Sequence, residues 1–325
     1  MNRITHEIIA ALVQEVGAAT PTDAVRTKAR AAVRSFCEFF GEPEIPFDVA
    51  ALASFLGIKC SNEAPIHSQD AELVPAGDGR VAIRVNPERP ETRRRFSMAH
   101  EISHTFFPHY QSKVWCRTDA RFRRRENPDD HLEMLCDTGA SEIVLPVPWF
   151  VHDAEGVHTG MEFIELTRKY GVSREATLRR YAEVSDRNIQ AAYFSWRLKP
   201  AQTKRLADPN QQRLFDIPAD KPPAKKLRLD YAIPSAAANG AFLPQHKSVD
   251  NDGPLYAAAL GTPCEGTCHL DLGPSEGTYR VIAIPLWTSD SEVGPGGENS
   301  VGAIIEPIDS KPAKRKIPAA RPSLF

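Results

Sequence analysis

Apolar residues in the first part of the chain recur at helical spacing. Residues 1–42 predict helical structure, beginning with an amphipathic segment. Thr20 and Pro21 supply the capping and first-turn residues expected of a helix that runs through Phe39. The chain is therefore expected to open with helices.

Two helices bounded by proline are expected next. The first runs from about Pro90 to Phe107 and the second from about Asp130 to Leu145, because proline suits a first turn but cannot continue a helix. A helix-turn-helix-like pair follows at residues 162–184. Such a pair could read DNA, but it more often packs against a core, and we favour packing.

Period-two alternation predicts strands elsewhere. It is clearest in RVAIRVN, Arg80–Asn86, and a short strand is also expected at Tyr193–Trp196. After a segment rich in proline, lysine and aspartate, four apolar runs are typical of strands: LRLDYAI, PLYAAAL, TYRVIAIPLW and VGAIIEPI. The C-terminal part is therefore expected to be rich in β-structure.

Composition narrows the class of protein. Of the 325 residues, 42% are apolar and 25% are charged, and the net charge of -2 gives the whole molecule no electrostatic attraction to nucleic acid. No apolar run reaches the roughly 18 residues of a membrane span, and the N-terminus does not resemble a secretion signal. Six scattered cysteines suit reduced thiols, so we expect a cytoplasmic protein without a membrane partner.

The sharpest chemical signal is His-Glu-x-x-His at residues 100–104. On a helix the two histidines lie on one face, about 6 Å apart along the axis, from which both imidazoles can reach one zinc ion. Met98, Ile102 and Phe106 form an apolar stripe beside them, so this helix can pack into a core. Glu101 lies next to a metal ligand, where it can take a proton from the zinc-bound water.

A catalytic zinc site needs a third protein ligand besides His100 and His104. The HExxHxxGxxH class is excluded, because Phe107 and Tyr110 occupy its glycine and last histidine positions. His109 is one residue away from the required spacing, so we do not assign it. The remaining solution is a carboxylate from a following helix.

The segment DHLEMLCDTGASEIVLP offers this carboxylate. We assign Glu133 as the third ligand, and Asp137 as the acceptor of a hydrogen bond from the free ring nitrogen of one zinc histidine. Rival third ligands lie near the start of the same helix: Asp129, Asp130 and His131. Gly139 lies mid-helix at a cost of about 1 kcal/mol relative to alanine, which a close helix–helix crossing would explain.

These segments together resemble the ImmA/IrrE family of zinc metallopeptidases. The resemblance rests on IPFDVAALASFLGI, RVAIRVNPE, RRRFSMAHEISHTFF, EMLCDTGASEIVLP and LTRKYGVSREATLRRYAEV, and it covers roughly residues 44–198. It implies a gluzincin-like domain in which His100, His104 and Glu133 hold one zinc ion and Glu101 is catalytic. Members of the family are associated with the cleavage of helix-turn-helix repressors in stress response or mobile-element regulation.

The prediction is a zinc-dependent endopeptidase that hydrolyses a peptide bond in a regulatory protein, of the helix-turn-helix repressor type. We expect Arg80–Asn86 to lie at the edge of the cleft and to pair with an extended substrate backbone. One alternative is a DNA- or protein-binding regulator with structural zinc and no peptidase activity, although a structural site has no use for a base at Glu101. Another is an amidase-type hydrolase of a small substrate.

The predicted architecture is α+β: a mainly helical, zincin-like peptidase domain with a small sheet, followed by a small β-rich C-terminal domain. Its parts are an N-terminal helical segment (1–43), the metallopeptidase domain (44–198), a linker (199–226), a β-rich domain of unassigned role (227–308) and a basic, disordered tail (309–325).

Three weaker signals remain. Residues 113–125 carry six basic side chains, and we favour a solvated loop over a groove for DNA or an acidic substrate. Cys264, Cys268 and His269 could form a second metal site, but CxxxCH without a distant ligand pair is a weak motif. For QQRLF at 211–215 we favour a solvated linker over a partner-docking peptide.

Overall fold

The computed structural model describes residues 2–63, 69–77, 79–108, 110, 115–116, 128–207, 223–238, 243–271, 276–287 and 299–308. The chain forms two compact units, residues 1–158 with 162–180, and residues 159–161 with 181–325. The predicted α+β class is confirmed. Residues 211–215, 309–325, His109 and all of 113–125 except 115–116 lie outside the described residues.

Helices dominate the first unit. They are α1 (Asn2–Val16), α2 (Pro21–Phe40), α3 (Val49–Phe55), α4 (Glu91–His104), α5 (Pro128–Val144), α6 (Val147–Glu155), α7 (Gly160–Tyr170) and α8 (Arg174–Val184), the last two reaching the boundary of the unit. As predicted, Thr20 caps α2: its Oγ1 accepts a hydrogen bond from the backbone N–H of Asp23 at 3.1 Å, with Pro21 in the first turn.

Helix α4 ends earlier than predicted. The backbone N–H groups of Thr105, Phe106 and Phe107 each donate to the carbonyl three residues back, rather than four. This tighter turn ends the α-helix at His104, and Pro108 then prevents its continuation. The second histidine therefore lies in the last turn of the helix.

A small sheet accompanies these helices. Its strands are β1 (Lys59–Ser61), β2 (Ala71–Gly77), β3 (Arg80–Val85) and β4 (Trp115–Cys116), in the order β1-β3-β2-β4. The strand predicted at Arg80–Asn86 is present, but the expectation that it lies at the edge of the cleft and pairs with an extended substrate backbone is wrong. Strand β3 pairs in parallel with β1 and antiparallel with β2, so both of its hydrogen-bonding sides are taken. Alternation along a strand reveals its buried face, and not how many strands lie beside it.

The second unit is built on a five-stranded sheet. Its elements are β5 (Gln190–Arg197), α9 (Pro200–Ala207), β6 (Lys226–Pro234), α10 (Gly253–Ala259), β7 (Cys264–Leu270), β8 (Gly277–Pro285) and β9 (Val301–Pro307). The strand order is β6-β5-β9-β8-β7, and an apolar cluster including Phe194, Leu229 and Val281 lies against α10. The strand expected at Tyr193–Trp196 is therefore present, within β5.

One predicted strand is a helix. PLYAAAL forms most of α10, which has Pro254 in its first turn. Leu255, Ala258 and Ala259 are buried at helical spacing, and alanine has the strongest helix propensity. The run was too short and too uniformly apolar for its period to distinguish strand from helix.

The predicted domain boundaries stay a prediction. In the structure, β5 pairs with β6 and β9, so it belongs to the sheet of the second unit. Within the part of the chain that the structure describes, none of the helices has both the length and the apolar character needed to cross a membrane.

Candidate metal centre

Helix α4 carries the histidine pair and the glutamate between them. Ala99 and Ile102 of this helix are buried in the hydrophobic core, and the side chains of His100, Glu101 and His104 are fully buried as well. The two imidazole rings have centroids 5.0 Å apart and planes inclined at 73°. The i, i+4 spacing thus brings two imidazoles together at a site shielded from water.

Helix α5 crosses α4 at Gly139. A Cβ atom added to Gly139 would lie 2.5 Å from Oγ of Ser103 and 3.0 Å from Cγ1 of Val25. The predicted reason for this mid-helix glycine, a close crossing, is therefore confirmed. The crossing brings the preceding turns of α5 onto the histidine face of α4.

Glu133 faces both histidines, through a different oxygen atom for each. Its Oε2 lies 3.2 Å from Nε2 of His100, and its Oε1 lies 3.4 Å from Nε2 of His104. Ligand atoms about 2.1 Å from a tetrahedral zinc ion lie roughly 3.4 Å from one another. The chemistry and the spacing of these donors therefore fit a zinc ion.

Asp137 lies on the other side of the His100 ring. Its Oδ1 is 2.9 Å from Nδ1 of His100, which is the contact expected of an outer-sphere partner. Burial alone would lower the pKa of His100, but hydrogen bonds to Asp137 and Glu133 outweigh it and raise the pKa to about 9. The surroundings of His100 thus favour positive charge. The roles of these residues stay predictions, since the structure supplies only their placement.

Cys136 joins the group, although the sequence analysis did not single it out as a candidate ligand. The ligand atoms of His100, His104 and Cys136 lie within 4.8 Å of one another, and Cys136 Sγ is 3.3 Å from Nδ1 of His104. Its position three residues after Glu133, about one helical turn, was the signal that could have identified it. Two candidate ligand sets therefore share the histidines, one completed by Glu133 and the other by Cys136.

The first of these sets fits the ring geometry better. Nδ1 of His100 is taken by Asp137, and Nε2 of both histidines faces Glu133. Cys136 approaches His104 from its Nδ1 side, and the two nitrogens of an imidazole point in divergent directions. A metal held by both Nε2 atoms would therefore have Glu133, and not Cys136, as its third ligand.

The rival ligands on α5 receive little support. Asp129 accepts a hydrogen bond from Oγ1 of Thr5 on α1, and Asp130 and His131 lie in the first turn of α5, before Glu133. Peptide hydrolysis also needs a hydrogen-bond donor to the oxyanion, for which the sequence offers Tyr110, His131, His152 and His158. No contact of the described residues distinguishes among them.

The second metal site considered from the sequence does not assemble on β7. Adjacent residues of a strand point to opposite faces, so Cys268 and His269 diverge. Cys264 and Cys268 are four residues apart, roughly 13 Å along the strand. His269 instead lies 3.3 Å from Glu276 through its Nε2.

Comparisons with known proteins concern the fold and the family. One similar solved structure is that of a Mycobacterium tuberculosis transcriptional regulator. The structural alignment covers 94% of this chain and 82% of the regulator's chain, with a TM-score of 0.51. Because the sequence identity is 14%, the likeness concerns the fold alone. Among curated proteins, no match was found. Residues 62–181 match the model of the Peptidase_M78 family, the IrrE N-terminal-like domain. The resemblance to the ImmA/IrrE family is thus confirmed over residues 62–181, which are similar to an IrrE N-terminal-like domain.

Proposed function

We propose that this protein is a cytoplasmic zinc-dependent endopeptidase that cleaves a regulatory protein of the helix-turn-helix repressor type. The observation that carries the proposal is the position of Glu133, whose two oxygens face Nε2 of His100 and of His104 beside the buried Glu101. The match to a metallopeptidase family supports the reaction class. Five free thiols among the described residues support a reducing compartment.

His100, His104 and Glu133 are the residues that would hold the metal. When bound, a zinc ion supplies a Lewis acid that polarises the scissile carbonyl and lowers the pKa of a water molecule to about 7. Asp137 accepts a hydrogen bond from Nδ1–H of His100, which fixes the tautomer with Nε2 as the metal-binding atom.

Glu101 is the proposed general base. Its carboxylate takes a proton from the attacking water and then delivers that proton to the nitrogen of the leaving amine, so one side chain serves both halves of the hydrolysis. The full burial of Glu101 supports this role, because exclusion of bulk water keeps the proton among the reacting groups.

The decisive experiment compares the wild-type chain with Glu101→Gln. Each protein is loaded with zinc, its metal content is measured, and it is incubated with the helix-turn-helix repressor encoded nearest its gene. Mass spectrometry then identifies any cleavage products, with and without a chelator. We expect Glu101→Gln to retain zinc and to lose about 10²–10⁴-fold in cleavage rate.

A matched control is Glu91→Gln, at the exposed start of the same helix, which should keep both zinc and activity. Undiminished cleavage by Glu101→Gln would remove Glu101 from the mechanism. A wild-type protein that binds zinc but cleaves no repressor would favour the alternative, a regulator with structural zinc.

A further inference from the structure

We infer that Cys136 is the positioning residue of His104: its Sγ accepts a hydrogen bond from Nδ1–H and thereby turns Nε2 toward Glu133. This inference rests on the proposed function, because it assumes that the histidines hold a metal. It adds to that function a residue that the histidine motif and the carboxylate do not explain.

The His104 ring has a different partner at each of its nitrogen atoms. Nδ1 lies 3.3 Å from Cys136 Sγ, within the range of hydrogen bonds to sulfur, while Nε2 lies 3.4 Å from Oε1 of Glu133. The two nitrogens of a neutral imidazole cannot both carry the proton. If the proton is on Nδ1, sulfur is the acceptor and the lone pair of Nε2 points toward the carboxylate side.

The two histidines have corresponding partners at corresponding ring nitrogens. His100 has Asp137 on its Nδ1 and Glu133 on its Nε2, and His104 has Cys136 on its Nδ1 and Glu133 on its Nε2. Cys136 and Asp137 are adjacent on α5, so one turn of this helix contacts Nδ1 of both rings. Glu133, one turn earlier, faces Nε2 of both rings.

Cys136 supplies more than volume to the site, because the buried His104 ring also needs an acceptor. Cys136, His100 and His104 are fully buried, and a buried N–H that lacks an acceptor costs about 1–3 kcal/mol. A side chain of similar size without an acceptor atom would fill the same space but leave the Nδ1–H of His104 without this hydrogen bond. The chemistry of the sulfur, and not its volume alone, is therefore what the ring requires.

The test measures zinc affinity of the full chain by competition with a chromophoric chelator, in the absence of any substrate. Cys136→Ala removes the acceptor and should weaken zinc binding roughly 10–100-fold, as the loss of an outer-sphere partner does. Cys136→Ser keeps an acceptor and should lose less than Cys136→Ala. Cys268→Ala, a half-buried cysteine of the second unit, is the matched control and should bind zinc like the wild type.

Two spectra separate positioning from ligation. In the cobalt-substituted wild type, the near-ultraviolet charge-transfer band of a thiolate bound to cobalt should be absent. Long-range ¹H–¹⁵N correlations of the zinc-loaded protein should show His104 as the Nδ1–H tautomer. A thiolate–cobalt band that disappears in Cys136→Ala would instead make Cys136 a ligand and overturn the inference.

The affinities provide two further outcomes. Unchanged zinc affinity in Cys136→Ala, or equal losses in the alanine and serine variants, would also overturn the inference, while leaving the peptidase proposal intact if the wild type still binds zinc and cleaves. Failure of the wild type to bind zinc would overturn both.

Discussion

Oδ1 of Asp137 lies 2.9 Å from Nδ1 of His100, on the side of the ring opposite Glu133. The ring is thus held between two carboxylates from one helix, four residues apart. Asp137 remains partly exposed, with 28% of its side chain accessible, whereas His100 is fully buried. The contact therefore connects the buried site to the protein surface.

Replacement of Asp137 should weaken metal binding. We expect Asp137→Ala to lower zinc affinity roughly 10–100-fold, because the His100 ring loses the acceptor that fixes its tautomer. Asp137→Asn should lose less, since its carbonyl oxygen can still accept. Competition with a chelator measures both, and Thr138→Ala is the control, because its hydroxyl donates to the backbone carbonyl of Met134. A zinc affinity of Asp137→Ala equal to that of the wild type would contradict the role of Asp137 as the hydrogen-bond acceptor of His100.

The third ligand can be identified by comparing residues of α5. Glu133→Gln should lose more zinc affinity than Asp137→Ala, because it removes an anionic donor that faces both Nε2 atoms. Asp130→Asn and His131→Ala, the rival ligands in the first turn, should retain the affinity of the wild type. If Asp130→Asn or His131→Ala abolished zinc binding while Glu133→Gln did not, the ligand set proposed for this site would be wrong.

The helix crossing predicts a cost for any side chain at Gly139. Gly139→Ala places a methyl group 2.5 Å from Oγ of Ser103, so the helices must separate, at about 1–3 kcal/mol of unfolding free energy. The higher helix propensity of alanine, worth about 1 kcal/mol, offsets only part of this. Urea denaturation measures the net loss. Zinc affinity should fall as well, because the ligands lie on the two helices that separate.

Two further variants test whether the close contact at Gly139 causes this loss of stability. Ser103→Ala combined with Gly139→Ala should recover part of the stability, since it removes the nearest atom. Gly156→Ala, where an added Cβ would come no closer than 3.5 Å to the backbone, should change the unfolding free energy little. Equal stability of Gly139→Ala and the wild type would show that the crossing is more open than described.

Acid should destabilise the first unit through Glu142. Its fully buried carboxylate accepts hydrogen bonds from Arg180 and Arg30, and it also pairs with Arg26. Burial alone would raise the pKa of Glu142, but the hydrogen bonds and charges of Arg180 and Arg30 outweigh it and hold the pKa below the ordinary value of a glutamate. A lowered folded-state pKa stabilises the fold above the unfolded-state pKa, and this stabilisation disappears as the pH falls through the folded-state value.

The corresponding variant is Glu142→Gln. It leaves Arg180 buried without its countercharge and should cost about 3–5 kcal/mol of unfolding free energy at neutral pH. Its stability should also depend less on pH than that of the wild type below about pH 5, because the titrating carboxylate is gone. Urea titrations across this range measure both effects. Parallel pH curves for the two proteins would rule out Glu142 as a source of the acid sensitivity.

Much of the site could be predicted from the sequence because its residues belong to local patterns. His100 and His104 are four apart on a helix with clear end signals, and a helical period alone places them on one face. Glu133 and Asp137 share a face for the same reason. The close approach at Gly139 could also be predicted, since a mid-helix glycine needs a compensating contact.

Most of the local elements, and the residue types that suit zinc chemistry, therefore follow from the sequence alone. The contacts between elements distant in sequence became known only from the folded chain: Cys136 contacts Nδ1 of His104, Arg180 and Arg30 converge on Glu142, and β3 lies between two strands. The physical reason is that periodicity fixes the face on which a residue lies, whereas its partner depends on how elements distant in sequence pack together.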